Sequence, residues 1–232
     1  DPQVNEALGR AKLDSFILDM QHGMFDESAV LAGIAGAALE GKPCFVRVPV
    51  GAGGLASRVL DFGAAGIVCP MVNTVEEAER LVAAVKYPPT GARSWGPRRA
   101  IPISGLSGPQ YLARGNELTL AFAMIETRQA LDNLDRILAV QGVDGVFVGP
   151  VDLSVALSDG ARLDSPEVAA ALDHVAARAT AAGRLAGVFT VSPAAAKDCA
   201  ARGYRFIALM QDAMFLQQGA DQAVAAVRGS GS

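Results

Sequence analysis

The sequence predicts an α/β fold, a parallel sheet closed into a (β/α)8 barrel, and three observations carry the prediction. Seven short β-rich runs are apolar throughout rather than alternating, as strands covered on both faces are. Ala-rich amphipathic stretches separate them, supplying the crossovers that a parallel sheet needs. Polar residues stand at the ends of many different runs: Asp19, Arg47, Glu126, Asp152, Thr190 and Asp212. Chemistry spread over several strand ends is the pattern of a barrel that works at one mouth.

Taken in order, residues 1–14 read as a helix leading into the first run, FILDM (16–20). SAVLAGIAGAALEG (28–41) is a helix with Ser28 as its N-cap and a stop at Gly41. CFVRV (44–48) is the second run. GAGG (51–54) after it lacks the spacing of a dinucleotide fingerprint, so it reads as a loop and argues against an open doubly wound sheet. GIVCPM (66–71) is the third, followed by a helix from Thr74 with Glu77 three residues on, a capping box. The connection from Tyr87 to Leu120 is proline-rich and reads as irregular; a segment that long is expected to be functional or a subunit contact. AFAMIE (121–126) and GVFVGP (145–150) come next, then a helix capped by Ser165 with Pro166 at its first position. AGVFTV (186–191) and FIALM (206–210) close the series. Seven runs, set against the eight strands of the barrel, leave an earlier strand expected before residue 1.

The 232 residues are 51% apolar and 19% charged, which fits one domain over residues 1–228, with GSGS (229–232) read as a tag or linker. No apolar stretch reaches the roughly 18–20 residues of a membrane helix, and no N-terminal segment has the pattern of a signal peptide. A net charge of −4 without a basic stripe argues against a nucleic-acid partner. Cys44, Cys69 and Cys199 lie far apart in apolar segments, which speaks against a disulfide framework or zinc site and for a reducing cytoplasm.

Four residues carry the candidate chemistry. Glu126 and Asp152 end consecutive runs, so in a barrel both carboxylates face one mouth, where they repel unless a proton or cation lies between them. With no His or Cys beside either, the site is oxygen-only and suits a hard divalent ion completed by water and substrate. The alternative is that each carboxylate caps the following helix, Asp152 before LSVALS in particular. Arg47 ends an apolar strand, where its planar fork suits a substrate carboxylate or an enolate oxygen, or a structural ion pair. His22, three residues beyond Asp19, is a candidate general base with that carboxylate to orient its ring. Lower in rank stand the loop RSWGPRR (93–99), a lid, a subunit bridge or a solvated basic loop, and Phe189, which faces core or pocket mouth. The lysines, Lys12, Lys42, Lys86 and Lys197, all fall in helices or loops, so no Schiff-base lysine stands at a strand end.

Together, DMQHG, FVRVP, GIVCPMVNTVEEAE, YPPTGARSWGP, IETRQALDNLDRIL and GVDGVFVGPVDLS resemble the metal-dependent (class II) pyruvate aldolases. That group includes 4-hydroxy-2-oxoheptanedioate, 2-dehydro-3-deoxyglucarate and hydroxy ketoacid aldolases, and the resemblance spans residues 10 to 216. It implies a barrel of the phosphoenolpyruvate/pyruvate type whose last helix is exchanged between subunits, usually in a hexamer, with a first strand before residue 1. It further implies Glu126 and Asp152 as ligands of Mg²⁺, Mn²⁺ or Co²⁺, Arg47 as the holder of the oxo acid, and His22 with Asp19 as the catalytic pair. Asp61 would shape the site across a subunit boundary, and Pro150, Val151 and Phe189 would contact substrate. The implied reaction joins pyruvate or hydroxypyruvate to an aldehyde. The alternatives are a malyl- or citramalyl-CoA type of 3-hydroxyacyl-CoA lyase and a non-catalytic oxo-acid-binding barrel. Two departures, Gln21 where the family often has Glu and Met124 where it often has Gln, alter the polarity of the pocket.

Overall fold

The computed structural model describes residues 2–158 and 162–229. Apart from Gly229, the expected tag or linker lies outside the described residues. Chain order runs α1 (Pro2–Gly9), β1 (Phe16–Asp19), α2 (Glu27–Leu39), β2 (Cys44–Arg47), α3 (Gly53–Asp61), β3 (Gly66–Cys69) and α4 (Val75–Val85). It continues with α5 (Ala100–Ser104), α6 (Gly108–Leu118), β4 (Leu120–Ile125), α7 (Arg128–Asp132), α8 (Leu134–Leu138), β5 (Gly145–Val148) and α9 (Pro150–Leu157). The remaining elements are α10 (Pro166–Ala181), β6 (Leu185–Thr190), α11 (Pro193–Arg202), β7 (Phe206–Leu209) and α12 (Asp212–Arg228).

All seven expected runs form strands, paired in parallel in the order β1-β2-β3-β4-β5-β6-β7. The sheet is a nearly closed barrel with β1 and β7 as its edges. Each strand ends one or two residues before its run does, and after two of them the backbone shows a local reason. Met71 (φ 56°) and Met210 (φ 60°) adopt left-handed backbone just beyond β3 and β7 and turn the chain out of the sheet.

Side chains alternate between two cores, as the period of a strand requires. Inside the barrel, Phe45, Val68, Phe122, Met124 and Phe147 pack with Ile17, Phe189, Phe206 and Ala208. Phe206 is the hub: its ring centroid lies 4.6 Å from Phe45, 5.0 Å from Phe122 and 5.8 Å from Phe147. Outside, Leu18, Val46, Ile67, Ala123, Ile125, Val146 and Val188 pack against the helices. Runs that bury both faces are apolar throughout for this reason.

The capping box at Thr74 and Glu77 forms, and Ser165 caps α10 with Pro166 at its first turn. Three expectations need correction. Asp26, not Ser28, caps α2: its carboxylate takes the Ala29 N–H at 2.8 Å and the Ser28 hydroxyl at 2.7 Å, and negative charge is favoured at a helix N-terminus. GAGG is not all loop, because Gly53 and Gly54 open α3. The connection from Tyr87 to Leu120 holds two helices, α5 and α6, packed around Tyr87, Ala100 and Tyr111. No described helix is long and apolar enough to cross a membrane. Cys44, Cys69 and Cys199 are free thiols.

The N-terminal end of the barrel is locked by a buried lysine. Lys86 Nζ donates to the Asn116 and Thr119 carbonyls at 2.7 and 2.5 Å and pairs with Asp144 at 2.7 Å. Asp144 in turn accepts the Ala121 N–H, tying the starts of β4 and β5 together. Lys86→Met should destabilise the protein by about 3 kcal/mol in urea unfolding, at the low end for breaking a buried pair because Asp144 stays 24% exposed. An unchanged unfolding midpoint would remove this lock from the account.

Candidate active site at the mouth of the barrel

The interior alternation sets what stands at the C-terminal ends of the strands. Ile17, Phe45 and Met124 face inward, so two residues on Asp19, Arg47 and Glu126 also face inward, one layer higher. At that layer the protein stops, and polar groups meet the mouth.

Glu126 is only 3% exposed, and its Oε2 accepts the Met71 N–H at 2.8 Å. A Cβ on Gly149 would lie 2.7 Å from Glu126 Oε1, so any other residue there would push the carboxylate aside. Asp152, exposed in the first turn of α9, brings its carboxyl within hydrogen-bonding reach of Glu126. Burial raises the Glu126 pKa above the ordinary carboxylate value and the charge of Asp152 raises it further; the Met71 N–H and the charge of Arg47 oppose this. The reading of both acids as helix caps fails. Gly149 stands at the N-cap of α9, and Thr127 caps α7 through the Ala130 N–H at 3.0 Å.

Arg47 meets Asp19 fork to fork, Nε to Oδ1 at 2.8 Å and Nη2 to Oδ2 at 2.6 Å. Oδ1 also accepts the Gln21 and His22 N–H groups at 3.0 and 3.3 Å. Burial works to raise the Asp19 pKa, but the bond and charge of Arg47 and the two N–H groups outweigh it and hold the carboxyl below its ordinary value. This corrects one expectation: Asp19 engages His22 through its main chain, because its oxygens are taken by Arg47 and the loop. The His22 ring is exposed and has no hydrogen-bond partner among the described residues.

Phe189 belongs to the interior aromatic layer on β6, while Pro150 and Val151 open α9 beside Asp152. Asp61 does not join this cluster within one chain. It ends α3 and pairs at 2.7 Å with Arg93, whose side chain is fully buried against the Tyr87 ring. The basic loop that a coenzyme A reading needs is thus partly committed to the fold: Arg93 to Asp61, and Arg99 to the Leu31 carbonyl. Lys86, bound to Asp144 at the other end of the barrel, leaves the strand ends without a Schiff-base lysine among the described residues.

Charge decides what the mouth can hold. Asp19, Glu126 and Asp152, when ionised, set three carboxylates against the single guanidinium of Arg47. Among the described residues no group of three His, Cys, Asp or Glu side chains gathers around one point, and the two acids that approach each other, Glu126 and Asp152, are oxygen donors. That donor set fits a hard divalent cation that completes its shell with water and substrate oxygens. Sequence reasoning missed two contributors, the Met71 N–H and the Cβ-free approach of Gly149. Main-chain donors carry no side-chain signature; the glycine in GVFVGP was the one visible hint.

A family model described as HpcH/HpaI aldolase/citrate lyase matches residues 1–218. A hydroxypyruvate/pyruvate aldolase of Rhizorhabdus wittichii is 42% identical over 96% of this chain and 88% of its own length. A 2-keto-3-deoxy-L-rhamnonate aldolase of Salmonella gallinarum is 38% identical over 78% of this chain and 67% of its own. The crystal structure of an HpcH/HpaI aldolase/citrate lyase family protein from Burkholderia cenocepacia superposes with a TM-score of 0.89 at 30% identity, over 99% of this chain and 91% of that one.

A raised carboxyl pKa has a definite consequence for stability. The folded state favours protonated Glu126, so its contribution is fully present below the unfolded carboxyl pKa and is lost as pH rises through the folded value. Metal-free Glu126→Gln should therefore match wild type in acid and become the more stable protein towards neutral pH. Denaturation of chelated samples across that range checks it; a difference that shrinks as pH rises contradicts it.

Proposed function

The chain belongs to the HpcH/HpaI aldolase/citrate lyase family and is an enzyme of aldolase type, and from that premise we propose that it catalyses a reversible, divalent-metal-dependent aldol addition. The donor is a 2-oxo acid, pyruvate or hydroxypyruvate, the acceptor an aldehyde and the product a 4-hydroxy-2-oxo acid. The observation that carries the reading is the approach of the Glu126 and Asp152 carboxyls with the charge of Arg47 beside them.

Glu126 and Asp152 hold the ion, Mg²⁺, Mn²⁺ or Co²⁺. When bound, it supplies Lewis acidity to a keto oxygen, worth on the order of several kcal/mol in the transition state. Arg47 commits Nε and Nη2 to Asp19, which fixes the guanidinium plane. Its Nη1 remains for the carboxylate of the oxo acid or for the oxygen on which negative charge develops. His22, exposed at the mouth, moves a proton between the aldehyde oxygen and solvent, help of the kind worth about 10²- to 10⁴-fold. Pro150, Val151 and Phe189 bound the space for the carbon chains.

Copies of the chain assemble, with a hexamer the expected form. Two observations support this: α12 has no buried residue, and Asp61, paired with Arg93, sits away from its own mouth, as a residue serving a neighbour's would.

Thorough chelation should abolish turnover with pyruvate and an aldehyde, and Mn²⁺ or Mg²⁺ should restore it. Exchange of the pyruvate C3 protons in deuterated water, followed by NMR with Mg²⁺ present, isolates the first chemical step. Full activity after chelation, or no exchange with metal supplied, contradicts the reading.

A further inference from the structure

Among the described residues, two that are not glycine hold left-handed backbone, Met71 and Met210. Such conformations persist where the surroundings enforce them, and they gather at functional sites. The two differ in what the conformation achieves. Met210 donates its N–H to the Thr190 carbonyl at 2.7 Å, which extends the main-chain pairing of β6 and β7. Met71 donates its N–H to a carboxylate, Glu126 Oε2, at 2.8 Å.

The surroundings of Met71 enforce its conformation from the other side. Its carbonyl accepts the Asn73 side-chain amide at 3.0 Å. Asn73 Oδ1 accepts the hydroxyl of Thr127, the residue after Glu126 and the N-cap of α7. The Asn73 carbonyl accepts the Asn133 amide at 2.8 Å, and its N–H goes to Glu77 at 2.6 Å. The loop after β3 and the start of α7 are thus interlocked around Glu126. With Oε2 held from the β3 side, Oε1 lies against Gly149 on the β5 side, three residues before Asp152.

We propose that Met71 is a positioning residue: its left-handed main chain aims the N–H that fixes the Glu126 carboxylate in the orientation in which it binds a divalent cation together with Asp152. This rests on the metal reading of the site given above. What matters at position 71 is the backbone conformation, not the side chain. Glycine and asparagine accept left-handed backbone readily, whereas a β-branched residue is a strong outlier there.

The test is Mn²⁺ affinity, read from the free-ion signal in electron paramagnetic resonance, for Met71→Gly, Met71→Asn, Met71→Val, Met210→Val and Glu126→Gln. Met71→Gly and Met71→Asn should bind within a few-fold of wild type. Met71→Val should bind about 10- to 100-fold more weakly, the usual loss when a group that orients a metal ligand is removed. Met210→Val introduces the same strain without touching Glu126 and should leave Mn²⁺ affinity unchanged. Unchanged affinity in Met71→Val overturns the proposal, as does equal loss in all three Met71 variants, which would assign the effect to the side chain. Equal loss in Met210→Val overturns it too. Unchanged affinity in Glu126→Gln is a separate outcome that removes the metal reading itself, and the proposal with it.

Discussion

The constraint on which the rest of the structure depends is the meeting of two carboxylates at the end of an apolar barrel. Two like charges about 4 Å apart repel by about 4 kcal/mol at an effective dielectric constant of about 20. Burial of Glu126 removes the water that would otherwise screen it. The protein offsets only part of this cost, through the Met71 N–H and the nearby charge of Arg47. Arg47 is itself already engaged by Asp19. The remainder is a standing attraction for positive charge, expressed in the raised Glu126 pKa when no cation is present.

The layers below make that arrangement rigid. Phe206 and its neighbours fill the barrel, so the acids rest on a packed aromatic floor rather than a water channel. Met124 is part of that floor, at 1% exposure. It places an apolar side chain, two residues back along β4, beneath Glu126. Gln21 acts higher up. Its N–H joins the shell of Asp19, while its Oε1 is buried without a hydrogen-bond partner among the described residues.

Much of this was legible in the sequence, for physical reasons that differ by residue. The seven strands could be read because parallel strands buried on both faces must be apolar throughout, as GVFV and GIVC are. Glu126, Arg47 and Asp19 could be placed at the mouth because a charged residue ending such a run has nowhere else to go. Ser28 lies inside α2 because Asp26, two residues upstream, starts the helix earlier by taking the Ala29 N–H, and the Ser28 hydroxyl itself donates to Asp26. The pairing of Asp19 with the His22 ring follows from spacing and resemblance, neither of which shows that the guanidinium of Arg47, distant in sequence, takes those oxygens instead. The burial of Arg93 was hidden because its partners, Asp61 and Tyr87, are set by tertiary packing and not by its basic neighbours. Met71 left no signal at all, since its part is played by the main chain.

The central claim is that Glu126 and Asp152 grip one cation jointly. Anomalous diffraction from crystals soaked with Mn²⁺ tests it most directly, because it locates the ion without reference to activity. The account predicts one strong peak between the two carboxylates, within reach of Arg47, that disappears in crystals of Asp152→Asn. A peak at some other place on the barrel, or one that persists at Glu126 when the second acid is gone, would contradict it.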